Sequence, residues 1–402
     1  MILVGIYMKI GWLDYSITDQ NKALAVLDKL HEKNAVDELG IASIRDGYAD
    51  YFFPGTSTIQ THAKYFLIVP YILKDLENYN QKKYPLEVLL RRYEKQCAEI
   101  LVKNSNNATG IIGSDSLNNN EWIKRLPSSI YWAGLKQYGI FLEKNYSIHN
   151  YLMEVDKERK LRLQRKENHY AKDDESKDDY ITNTLNMRFI DMPLYKRIGQ
   201  WREDISINLT RDEALFLKEK IIKNNEGTML ATVLKDNLIE FCNFKSFYDI
   251  ETIIDRFPKD VQSNYYDALK FSKFMHFIYA VYNEIISNGN NLEAKEFIDI
   301  DIDDNQLCDF DIDRILINLK LYNQSNRLGL FIKNAQQALI NKDLDKLKEL
   351  IIRREESLKG STRAKTMHPT GDTSWIGNKV LEYRFTIAKQ MIKEIFEGED
   401  NA

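Results

Sequence analysis

The chain has 402 residues, 44% of them hydrophobic and 29% charged, and a formal net charge of −4. That balance is typical of a soluble globular protein with room for about two or three domains. It excludes a uniformly basic nucleic-acid coat, so any contact with a polyanion has to come from a local patch. Cys97, Cys242 and Cys308 stand far apart with no Cys-x-x-Cys pair, which argues against a disulfide framework and a zinc knuckle. No run approaches the ~20 apolar residues of a membrane span, and a cytoplasmic protein is the expectation.

Met1 to Ile10 is apolar but short, and Lys9 interrupts it; it reads as a first strand or an extended start. A helix is predicted from Thr18 or Asp19 to about Glu32, with Ala23, Val26, Leu27 and Leu30 facing inward. The stretch 37–73 organises the rest of the chain. Leu39, Ile41, Ile44, Tyr48, Tyr51 and Phe52 fall at helical spacing, Phe53-Pro54-Gly55 stops the helix, and Thr56, Ser57 or Thr58 can cap a second one. The second helix is expected to carry Ile59, Ala63, Phe66, Leu67 and Tyr71 on its inner side. Gln60, Thr61 and Lys64 lie on its outer side, giving the outline of a helix-turn-helix. A helix from Pro85 to Val102 buries Leu86, Leu89, Leu90, Tyr93, Cys97 and Ile100 and turns Arg91, Arg92 and Lys95 outward. Ile111-Ile112, between two glycines, reads as a short strand or wing, and a capped helix is predicted from Ser128 to Phe141.

Composition changes sharply across 154–180. Lys157 to Lys166 holds six basic residues against Glu158, and Asp173 to Asp179 holds five acidic ones against Lys177. This predicts a charged helix, then an exposed loop and a domain boundary. Beyond it the pattern is helical. Thr210-Arg211-Asp212-Glu213 is a capping-box start. Ala268, Phe271, Ser272, Met275, Ile278, Tyr279 and Tyr282 make one wide face of a long helix from Val261 to Ser287, and shorter helices are predicted over 314–321, 328–340 and 344–358.

The wording of 37–73, with Gly11-Trp12-Leu13-Asp14-Tyr15-Ser16, Arg91-Arg92-Tyr93-Glu94-Lys95, Gly110-Ile111-Ile112-Gly113, Leu126-Pro127-Ser128-Ser129-Ile130-Tyr131-Trp132 and Leu381-Glu382-Tyr383-Arg384, resembles the bacterial family of unknown function DUF6361. The resemblance reaches over most of the chain and implies no established activity. Its only suggestion of a setting is a genome-protection or phage-defence assembly.

Residue chemistry narrows the options further. Gly110-Ile111-Ile112-Gly113 lacks the Lys-Ser/Thr of a phosphate loop and the third Gly of a dinucleotide fingerprint. The six histidines share no i, i+4 ligand spacing, and the acidic stretch Asp299 to Asp313 lacks the Gly and Glu of a calcium loop. No metal site and no cofactor is expected, and no nucleophile signature is present. Residues 353–393 are different: nine cations face Glu355, Glu356, Asp372 and Glu382. Lys359-Gly360-Ser361-Thr362-Arg363-Ala364-Lys365 has the small, cationic composition of a phosphate-contacting loop, or of a solvated loop balancing acidic neighbours.

The expected fold is mainly α, with a helix-turn-helix or winged-helix-like part over 1–153, a charged linker over 154–184 and a helical domain over 185–402. The expected function is non-enzymatic nucleic-acid association, with DNA as the partner. Thr56, Ser57, Gln60, Thr61 and Lys64 would face a groove, and Lys359, Arg363, Lys365 and Arg384 would face phosphates. A protein–protein adaptor and an unrecognised nuclease or hydrolase are the alternatives. Exchanging Lys359, Arg363 and Lys365 for alanine is expected to leave the fold intact.

Overall fold

A computed structural model describes residues 37–79, 81, 83–105, 109–119, 122–170, 189–195, 201–302, 304–322 and 326–401. The expected first strand, the expected helix up to Glu32 and the acidic run over 173–179 lie outside the described residues. The rest is mainly helical, and the one pairing of extended backbone is an isolated antiparallel bridge between Phe141 and Ile190.

The first helix, α1 (Ala42–Phe52), is capped by Asp37, whose carboxylate accepts the N–H groups of Ile41 (2.8 Å) and Ala42 (2.7 Å). The chain then turns at Phe53-Pro54-Gly55, with Gly55 at φ +81°. The next helix does not begin at Thr56. The Thr56 hydroxyl donates back to Phe53 O (2.6 Å), and Gln60 folds onto the same turn, donating to Gly55 O (3.1 Å) and accepting from Ser57 N (2.9 Å). These local bonds compete with helix formation, so α2 spans Tyr65–Glu77. Its residues from Tyr65 to Leu73, and Leu76, are all buried, which leaves no face for a nucleic-acid groove and corrects the helix-turn-helix expectation.

Pro85 caps α3 (Leu86–Asn104), as its place before a helical run requires. The expected wing at Ile111-Ile112 is a turn instead: Gly110 and Gly113 both have positive φ, and a short 3₁₀ turn, Ser114–Ser116, comes directly after. Next come α4 (Pro127–Gln137) and α5 (Ile148–Tyr170); α5 carries the basic run as one helix. In the C-terminal half the capping box forms with both of its bonds at the start of α6 (Arg211–Asn224), and α7 (Met229–Lys235) comes next. The long α8 (Lys259–Ile286) is buried on most of its circumference. Around it lie α9 (Leu292–Asp301), α10 (Ile312–Asn318), α11 (Asn326–Ile340) and α12 (Leu344–Lys359). The last helix, α13 (Phe385–Asp400), packs on α6.

Buried side chains make one cluster running from Leu39 to Phe396, so it draws on both sides of 154–184. Aromatic contacts tie α1 to the C-terminal half: Phe52 meets Phe247 at 5.3 Å and Tyr48 meets Tyr383 at 5.4 Å between ring centroids. Tyr383 and Arg384 both sit at positive φ, +47° and +64°. That strain is held by the Tyr383 hydroxyl donating to Ala268 O (2.7 Å) and by Arg384 reaching Asp50 (2.5 Å) and Thr56 O (2.9 Å).

The turn at Gly55 is also a close approach. A Cβ there would lie 2.5 Å from the Tyr138 ring, and one on Gly134 would lie 2.5 Å from Gly55 O. Gly55→Val therefore meets both a left-handed backbone and an occupied space, and should lower stability by at least about 2 kcal/mol in urea unfolding; an unchanged midpoint would refute the close approach.

Candidate nucleic-acid interface

The residues expected to face a groove lie between helices. Thr56, Gln60 and Lys64 are buried, and Ser57 and Thr61 are half-buried. Thr61 N donates to the Tyr131 hydroxyl (2.8 Å). Lys64 is the most constrained: its ammonium donates to Glu213 (2.5 Å) and Asn208 O (3.1 Å), and its side chain is 5% exposed. An ammonium this deep cannot leave its carboxylate for a phosphate without stranding a buried charge.

The C-terminal cations are likewise engaged. Lys359 at the end of α12 donates to Glu355 (2.7 Å) and pairs with Glu38, and Lys365 donates to Glu38 (2.8 Å). Both carboxylates are buried, and Glu355 also accepts from the Tyr282 hydroxyl and Thr366 N, each at 2.9 Å. Burial, with Lys365 and Arg363 alongside, pushes the Lys359 ammonium down to about 8 against the opposing charge of Asp37. Arg354 donates to the carbonyls of Leu39 and Gly40, Lys379 pairs with Glu293, and Lys389 donates to Phe244 O. Arg384 is spent on Asp50 and Thr56 O. Of the four C-terminal candidates Arg363, bonded to Lys359 O (3.0 Å), and Lys365, paired with Glu38, are exposed. A segment cationic by count is partly paired in space, and Glu38, Asp50 and Glu293 come to it from far along the chain.

His62 joins the same two regions. Its Nδ1 faces Glu394 Oε1 and its Nε2 faces Thr109 O, both at 2.7 Å, while Glu394 Oε2 accepts from Ala63 N (2.6 Å). Both ring nitrogens meet groups that only accept, which is the pattern of an imidazolium. Burial opposes the charge, but the bond and charge of Glu394 and the Thr109 carbonyl outweigh it and raise the ring above its ordinary value.

Further solvent-exposed cations lie on α3 and α5. Arg91 and Arg92 are exposed and Lys95 half-exposed, and no ion pair holds them among the described residues. Glu94, beneath them, is fully buried and accepts from Ser128 N at 2.6 Å; burial pushes it up to about 8, so near pH 7 it adds little countercharge. On α5, Lys157 and Lys160 are 65% and 64% exposed, paired only with Glu154 and Asp156 of their own helix. A cleft of about 360 Å³ lies between the start of α3 and α5, lined by Tyr84, Leu86 and Glu87 on one side and by Met153, Arg159 and Lys160 on the other. Arg91 lies one turn beyond Glu87 on α3 and Lys95 one turn further. The outward cations of the 85–102 helix and the basic run were visible in the sequence, but the packing of α5 on the turn before α3 was not. Among the described residues no group of three or more metal-ligating side chains comes together.

Residues 7–174 match a family model described as "Family of unknown function (DUF6361)". That match ends well before Leu381-Glu382-Tyr383-Arg384, where the resemblance had been expected to continue. No curated protein and no solved structure matches the chain.

Two measurements test the geometry. Lys359→Ala leaves Glu38 and Glu355 short of a buried partner and should cost about 3–5 kcal/mol in urea unfolding, whereas Arg363→Ala should stay within about 0.5 kcal/mol. This reverses the expectation that the loop cations are dispensable; equal, small effects would restore it. For His62, a raised folded value means that its contribution is complete below about pH 6.5 and is lost as pH rises through the folded value. Wild-type stability should fall as pH rises above about 6.5 more steeply than that of His62→Gln. Parallel profiles, or a His62 ring signal titrating below about 6.5, would contradict the imidazolium.

Proposed function

Beside the match of residues 7–174 to the model of a family of unknown function, and from the chemistry of that same region, we propose that this protein associates with nucleic acid through the α3–α5 face. The observation that carries this reading is the set of solvated cations Arg91, Arg92, Lys95, Lys157 and Lys160 on α3 and α5. Exposed ion pairs are worth about 0–1 kcal/mol, so phosphate can take Lys157 and Lys160 from Glu154 and Asp156 at small cost. The contacts are backbone contacts, which position a nucleic acid without reading its sequence. A place in a genome-protection assembly belongs to the same proposal, and no residue of the fold bears on it.

One feature favours the adaptor as a second reading. Tyr322 and Leu330 are at least half exposed around a hollow of about 290 Å³ beside α10 and α11, which offers an apolar surface to another protein.

Fluorescence anisotropy with labelled duplex across a salt series tests the leading reading. Binding should weaken with salt, and replacing Arg91, Arg92 and Lys95 by alanine should flatten the slope by about 2.7, at ~0.9 per lost phosphate contact, without altering the unfolding midpoint. A wild-type protein that binds no nucleic acid at low salt defeats the reading, as does a triple variant with an unchanged slope.

A further inference from the structure

The cleft between α5 and the Tyr84–Glu87 turn has two unlike walls. Pro85, Leu86, Leu152 and Met153 are apolar, Met153 is exposed, and Tyr84 is half-exposed at the edge. The cationic side has Lys160, and outside the cleft the Lys83 ammonium lies over the Tyr84 ring at 5.3 Å. Its volume falls at the low end of small-ligand sites. Arg159 anchors it. This side chain is 6% exposed, donates from Nη1 to Gln81 O and Tyr84 O (both 3.1 Å) and pairs through Nη2 with Asp156, yet its buried Nε–H has no acceptor. That Nε–H is enclosed by protein, so Arg159 shapes the wall while Lys160 is the cation a ligand in the cleft can meet. The cleft's two acids are already engaged, Asp156 by Arg159 and Lys160 and Glu87 by His149 at 2.8 Å.

A ligand that suits both walls is a flat apolar ring with an anionic group attached. We propose that the cleft receives one unstacked base, with its phosphate, from a single-stranded nucleic acid. The base lies against Tyr84 and Met153, and the phosphate meets Lys160. This rests on the reading of the α3–α5 face as a nucleic-acid surface and gives that surface a strand preference. In a duplex the bases are stacked inside and cannot enter, so duplex contacts stop at the flanking cations.

The test compares a short single-stranded oligodeoxythymidine with a duplex of equal length, using wild type, Tyr84→Ala and Met153→Trp. Tyr84→Ala removes the stacking face; Met153→Trp fills the cleft from an exposed position and leaves every cation in place. Both should weaken single-strand binding about tenfold and change duplex binding less than about twofold. Equal effects on the two substrates, or none on either, overturn the cleft while leaving the surface reading intact. If wild type binds neither substrate, the surface reading fails and thymidine monophosphate decides the cleft alone. Saturable shifts of the Met153 methyl and Tyr84 ring signals that inorganic phosphate does not reproduce support it; no shift, or the same shift with inorganic phosphate, overturns it.

Discussion

The pair between Lys64 and Glu213 is the constraint on which the arrangement of the two halves depends. An ammonium and a carboxylate removed from water each cost several kcal/mol, so the pair holds only where geometry and further hydrogen bonds repay that. Glu213 meets the requirement three ways: it accepts from Lys64, it accepts from the Tyr71 hydroxyl at 3.3 Å, and it closes the Thr210 capping box at 2.9 Å. It does so at the start of α6, where the helix dipole favours a negative charge. The positions of α2 and α6 are thereby fixed to each other. α13, packed on α6, reaches back through Glu394 to His62 and Ala63. Three consecutive residues, His62 to Lys64, thus serve two distant helices. A helix beginning at Thr56 would have used the Ala63 N–H internally, and Glu394 would have lost it. The late start of α2 is a consequence of this demand.

The Glu38–Lys359–Glu355 cluster repeats the logic at the other end of α1. Glu38 lies just before α1, Glu355 and Lys359 on the last turns of α12, and Tyr282 on α8 donates into the same group. A hydrophobic substitute could fill this space with equal stability, but it would not specify which residues meet. Buried pairs that tolerate one arrangement alone favour specificity, and a largely helical chain with many similar apolar faces has use for it.

How much of this fold is legible in the sequence depends on how local each cause is. The Phe53-Pro54-Gly55 turn, the Pro85 cap and the Thr210–Glu213 box are set by neighbours within four residues, and all three form as read. Lys359 and Lys365 form a loop of exposed cations only while the acids counted against them are the nearby ones. Their partner Glu38 lies more than 300 positions away, and no window along the chain contains it. Gln60 fails for a related reason: its outward place on a helical wheel assumed a helix that its own side chain, bonded to Gly55 and Ser57, helps to replace with a turn. The α3–α5 face was half legible. Each helix showed its cations, and the spatial fact was Arg159 reaching across to Gln81 and Tyr84.

Solvation, more than charge count, separates the cations that can serve a partner from those that cannot. At ~4 Å two opposite charges attract by about 1 kcal/mol in bulk water but by about 4 kcal/mol at the effective dielectric of a protein surface, and more in the interior. Lys64 and Lys359 sit at the costly end of that range, so a phosphate would have to outbid a buried carboxylate and then leave it unpaired. Lys157 and Lys160 sit at the cheap end, where exchanging one carboxylate for one phosphate changes little and releases a counterion besides. The arrangement of buried pairs therefore bears on the proposed function indirectly: Lys64 and Lys359 are held against buried carboxylates, whereas Lys157 and Lys160 stand in solvent with pairs that are cheap to exchange.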